Sequence, residues 1–186
     1  MSVGVRTRRF SVAEYHQMVQ AGILKEDDRV ELVEGEIIEM PPLGPRHALC
    51  VDRLTDLLGF AVRGRAIVRV QGPISLDLHS EPQPDLALFR TPMTRYTESH
   101  PRPGDLFLVI EVAETTVDED RARKIPLYAR AGIREAWLVN VPAQTIEVYR
   151  APTPEGYKDV QMVRRGQALV PEAFPDLTLA VDDILA

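Results

Sequence analysis

The sequence predicts an α/β fold, bordering on α+β: a central mixed sheet flanked by helices, with an N-terminal helix and a β-hairpin before it. Three observations carry that prediction. Short apolar runs of strand length recur along the chain. They alternate with two segments of helical periodicity. No repeat, low-complexity linker or composition shift divides residues 1–186, so one domain is expected.

The elements follow in order. Ser11-Val12-Ala13-Glu14 has the form of a capping box, which opens a short helix ending near Gly22. RVELVEGEIIEM (29–40) reads as a hairpin turning at Glu34-Gly35. Glu31 shares its parity with Val33, while Val30 and Leu32 take the other face. PPLGP (41–45) breaks the chain. Apolar residues at 50, 51, 54, 57, 58 and 61 then define one face of a helix over 48–63, with His47 at its start on that face.

AIVRVQ (66–71), PISLDL (73–78) and EPQPDLALF (81–89) are strand candidates, followed by a Pro-rich loop over 90–105. LFLVIEVA (106–113) is an apolar strand with a carboxylate, Glu111, near its end. DEDRARKIPLYARAG (118–132) is helical, with acids in the first turn, and Pro126 predicts a kink or break inside it. AWLVNV (136–141) and TIEVYR (145–150) are two strands tightly joined. A small edge strand over 157–163 and a short element in PDLTLAVDDIL complete the chain.

Composition limits the function. Hydrophobic residues make up 45% and charged residues 27%, and the net charge is −6. That balance argues against coating nucleic acid through bulk charge but allows a local basic cleft. A single cysteine, Cys50, cannot form an internal disulfide and fits a reducing cytoplasm. The first residues, MSVGVRTRRF, are basic but lack a signal peptide's apolar stretch, and no run approaches membrane-spanning length.

A buried ionised carboxylate needs a partner. Asp85 opens the LALF strand, and if that strand neighbours the Glu111 strand, two carboxylates meet at one sheet edge. Together they would repel and raise one pKa. A divalent cation resolves this, because Mg²⁺ takes one or two carboxylates and keeps several waters. Such an ion can activate water and stabilise phosphodiester oxygens. Lys124, in the following helix, can stabilise developing negative charge and shares a face with Tyr128.

EPQPD (81–85), IEV (110–112) and RKIPLYARAGIREAWLVN (123–140) resemble the restriction-endonuclease-like PD-(D/E)XK nucleases. With FSVAEY, VELVEGEI and PRHALCV, the match covers nearly the whole chain and narrows to the Uma-type restriction endonuclease family. The resemblance implies a metal-dependent DNA endonuclease. Asp85 and Glu111 would bind Mg²⁺ or Mn²⁺, Glu31 would be an extra carboxylate, and His47 would line the site. Arg69, Arg121 and Arg123 would contact the DNA backbone, and by analogy the protein would be a homodimer. One departure stands out: the usual lysine position, two residues after the glutamate, holds Ala113, and Lys124 matches the displaced lysine of the Uma-type branch. The alternative is a nuclease fold that has lost catalysis and serves as a binding or assembly module.

Each residue also has a plainer reading. Glu111 would be a solvated strand end, Asp85 a turn residue after Pro84, and Lys124 part of a solvated basic face. His16, His79 and His100 show no metal-ligand spacing, and the second Pro-Asp pair, Pro175-Asp176, reads as a turn. Tyr128 and Trp137 are expected in the core.

Overall fold

The computed structural model describes residues 7–25 and 27–185. Helix α1 (Val12–Gln20) starts at the predicted capping box. The Ser11 side chain accepts from the Glu14 N–H, and Glu14 reaches back to the Ser11 N–H. Strands β1 (Val30–Val33) and β2 (Glu36–Glu39) form an antiparallel hairpin sheet of their own. Glu34 and Gly35, both at positive φ, make its turn.

The main sheet has six strands: β3 (Ile67–Val70), β4 (Leu86–Phe89), β5 (Leu106–Ala113), β6 (Glu135–Asn140), β7 (Thr145–Thr153) and β8 (Gly156–Arg164), adjacent in that order. β5 and β6 are parallel and the other neighbours antiparallel. A parallel pair needs a long crossover, and the helical segment between β5 and β6 supplies it. Both faces of the sheet are covered, which is why β4, β5 and β6 read as nearly unbroken apolar runs. Helix α2 (Pro45–Ala61) and the C-terminal helix cover one face, with Leu54, Leu58, Ile110 and Trp137 in that core. The crossover covers the other, with Ala113, Ile125, Tyr128 and Leu138.

Four expectations change in detail. PISLDL is not a strand. Pro73 offers no N–H, and the N–H groups of Ile74, Ser75 and Leu76 go to Pro82, Pro101 and Ser80, all outside a ladder. Helix α2 starts at Pro45, whose missing N–H costs nothing in a first turn. The edge strand β8 is nine residues long. The crossover does not break at Pro126. It runs through α3 (Val117–Glu119), a π-helical turn (Asp120–Lys124) and α4 (Ile125–Arg130). The wider turn accommodates the proline that an unbroken α-helix would reject. The C-terminal element is a two-residue strand, β10 (Leu179–Ala180), paired with β9 (Ala168–Leu169) and followed by helix α5 (Val181–Ile184). Among the described residues no helix is long and apolar enough to cross a membrane.

Candidate active site

Glu111 lies inside β5, not beyond its end, and is 3% exposed. Its partners come from the crossover. Tyr128, fully buried, donates its hydroxyl to Oε1, and the Lys124 ammonium lies 3.4 Å from Oε2. Lys124 is also 3.0 Å from Glu31 and 4.0 Å from Asp120. One cation thus sits among three acids. Asp120, Lys124 and Tyr128 recur at intervals of four along the crossover, so the π turn and α4 present them to one place.

Asp85 arrives from the neighbouring strand. Leu86 pairs with Ile110, which sets Asp85 beside the Glu111 end of β5. The Val112 N–H donates to Asp85 Oδ2 at 2.8 Å, and His47 Nε2 lies 3.1 Å from the same oxygen. Gln71 reaches Oδ1 at 3.3 Å. Helix α2 supplies His47 from its first turn, where the His47 N–H also donates to Glu114. Nδ1 of His47 is buried without a hydrogen-bond partner. Glu31 is 2% exposed, although it shares its strand parity with Val33. All four residues of β1 are buried, so neither face of that strand is solvated. The Gln83 N–H holds Glu31 Oε2 at 2.9 Å.

Glu31, His47, Asp85, Glu111, Asp120 and Lys124 line one cavity of about 600 Å³, with Tyr128 buried behind it. Burial raises the Glu111 pKa well above the ordinary carboxylate value. Lys124 opposes that without cancelling it, while Asp120, Asp85 and Glu31 add to it. Asp120 is raised for the same reason, against Lys124 and its Thr116 hydrogen bond. For Lys124, burial disfavours the charge, but Glu111, Glu31 and Asp120 outweigh burial and raise its pKa. For His47, burial is likewise outweighed, here by Asp85. The cavity therefore holds an excess of carboxylate over cation.

The donor set suits a hard divalent cation. Asp85 and Glu111 offer oxygen ligands, and Mg²⁺ or Mn²⁺ would take its remaining positions from water and substrate. Among the described residues, no three His, Cys, Asp or Glu side chains form a ready cage. An ion bound by two carboxylates does not need one.

The other sequence candidates fall as follows. Arg123 lines the cavity but pairs with Glu36. Arg121 is outside it, bound to Glu147 and Asp118. Arg69 stacks over Phe89 and donates to the Pro73 carbonyl. His16 pairs with Glu81, His79 lies 2.9 Å from the Phe10 carbonyl, and Asp176 binds Arg65 in a surface turn. Trp137 is core, donating to Glu135. Sequence reasoning placed Tyr128 in the core but did not see its hydroxyl on Glu111, and it missed Asp120. The four-residue spacing around Lys124 was the available signal.

A family model, Uma2, described as "Putative restriction endonuclease", matches residues 12–182. The chain belongs to the Uma2 family. Its fold is shared by a crystal structure described as "a putative nuclease belonging to DUF820" from Anabaena variabilis ATCC 29413. The TM-score is 0.74 at 18% identity, over 94% of this chain and 97% of that one. None of the curated proteins matches the chain. The central mixed sheet flanked by helices is therefore a nuclease fold, here carrying a Uma2 sequence.

Proposed function

We propose that this Uma2 protein is a metal-dependent DNA endonuclease, built on one restriction-endonuclease-like domain. The observation that carries the reading is the meeting of Asp85, Glu111, Glu31 and Lys124 in one cavity, from four separate stretches of chain. Asp85 and Glu111 would hold Mg²⁺ or Mn²⁺, with Glu31 assisting. The bound ion would acidify a water and offset charge on the phosphate oxygens.

Hydrolysis joins a water oxygen to phosphorus, breaks one phosphorus–oxygen ester bond and delivers a proton to the leaving oxygen. The protein's part is placement. Val112 and His47 hold Asp85. Tyr128 occupies one oxygen of Glu111, which leaves the other to Lys124. Lys124 stabilises the negative charge that grows on the phosphate, a role that Ala113 is too short to fill.

The test is nicking of plasmid DNA by purified protein in Mg²⁺, with chelator as control and calorimetry of Mg²⁺ binding alongside. Asp85→Asn should lose both metal binding and cleavage. Lys124→Ala should keep metal binding and slow cleavage on the order of 10²–10³-fold. Metal binding without cleavage in the wild type would favour a catalytically inactive binding module. Equal metal binding by wild type and Asp85→Asn would remove Asp85 from the site.

A further inference from the structure

The cavity has two unlike walls. One carries the acids and Lys124. The other is largely apolar, with Val33 and Ile38 from the hairpin, then Met40, Pro41, Pro42 and Leu43 from the strap that joins it to α2, and it is edged by Asp28, Arg29 and Glu39. Holding a metal and a phosphate requires no such wall. Pro41, Pro42 and Leu43 are exposed, Leu43 by 43%, so the strap is not part of a buried core. It offers an apolar surface at the mouth of an acidic cleft.

Charge narrows what can enter. Duplex binding needs cations set against successive phosphates of both strands. Of the three Arg and Lys side chains that line this cavity among the described residues, two are paired with carboxylates, Arg123 with Glu36 and Lys124 with Glu31 and Glu111, and Arg29 donates to the Pro41 carbonyl. The net charge of −6 opposes DNA at long range, and opposes a duplex, with two strands of phosphate, more than a single strand. An unpaired strand suits the metal-binding acids and the apolar strap alike. It brings one phosphate to the metal-binding acids and an exposed base whose face can pack on an apolar surface.

Resting on the metal-nuclease reading, we infer that the substrate is single-stranded DNA, a free end or an unpaired segment. The scissile phosphate sits at Asp85 and Glu111, and an adjoining base packs on the Met40–Leu43 strap.

The test uses a fluorescein-labelled 12-nucleotide single strand and the blunt duplex of the same sequence. Binding is read by anisotropy in Ca²⁺, and cleavage separately in Mg²⁺. The full-length protein should bind the single strand on the order of tenfold more tightly than the duplex. Leu43→Ser, which removes the apolar surface without adding charge, should lose a similar factor on the single strand, with calorimetric Mg²⁺ binding and melting temperature unchanged. If that variant melts early, Met40→Gln is read instead. Equal or tighter binding of the duplex overturns the inference, as does a single strand that fails to bind or strap variants that bind like wild type. Failure of the nuclease reading looks different: single-strand preference persists in the binding assay, but Asp85→Asn cleaves at the wild-type rate.

Discussion

Glu111 shows how far one residue can be read. An acid in an apolar run signals a partner or a strand end, and sequence alone left both open. β5 continues to Ala113, and the partners are Tyr128 and Lys124, one connection downstream. Lys124 was legible by its family position. Two of its three acids, Glu31 and Glu111, were named with it on the same resemblance, and Asp120 was missed although it lies four residues before Lys124. The raised Glu111 pKa has a stability consequence. Between the ordinary carboxylate value and its own raised one, folded Glu111 keeps a proton that the unfolded chain has released. Stability therefore falls as pH rises through that window, by about 1.4 kcal/mol for each unit of elevation. In chelator, denaturant titrations from pH 5 to 8 should show this fall in the wild type. Glu111→Gln, which cannot ionise, should make it shallower, leaving the part that Asp120 and His47 contribute. Matching slopes for the two proteins would mean that Glu111 is ionised throughout, held by Lys124 as a structural ion pair.

Among the elements, those specified by local chemistry were legible: the capping box of α1, the hairpin turn, and the apolar strands β5, β6 and β7. The misreadings arose where tertiary contacts overrode pattern. PISLDL alternates like a strand, yet its N–H groups serve loops on either side. Pro126 signalled a kink or a break, and the chain does not break but widens into a π turn just before it. That turn carries Lys124, so a locally unfavourable proline sits close to a candidate site residue. The hairpin matters equally, because β1 delivers Glu31. Gly35, at φ +80°, packs against residue 9, and a Cβ there would lie 2.5 Å from Arg9 Cβ and 3.0 Å from Arg9 Cα. Gly35→Ala is thus strained in its backbone and blocked by main chain. It should destabilise the protein by about 1–2 kcal/mol or more in urea titration. On the proposed reading, in which Asp85 anchors the metal and Glu31 only assists, it should also weaken Mg²⁺ binding less than Asp85→Asn does. A fully stable Gly35→Ala protein would mean that the N-terminal segment yields freely at residue 9.

At the scale of the whole molecule, the hairpin sheet and the six-stranded sheet are tied together by the same residues that build the site. Leu32 bridges to Glu81, the Gln83 N–H holds Glu31, and Lys124 spans Glu31 and Glu111. Arg130 on α4 reaches Glu34 in the hairpin turn. A hairpin that detached would leave Glu31 and Lys124 without each other, and exposing one partner of a buried pair is costly. We therefore expect the chain to unfold as one unit, with far-ultraviolet dichroism and the fluorescence of Trp137 giving coincident thermal curves. Trp137 is fully buried in the core of the six-stranded sheet, so its signal reports that sheet while dichroism reports the chain as a whole. Mg²⁺ at a hundred times its dissociation constant should stabilise the folded state by about 2.7 kcal/mol and move both curves together. Asp85→Asn should show no such shift. Two separated transitions, or a Mg²⁺ shift seen by only one probe, would mean that the hairpin and the main sheet melt independently and that the ties through the site do not couple them.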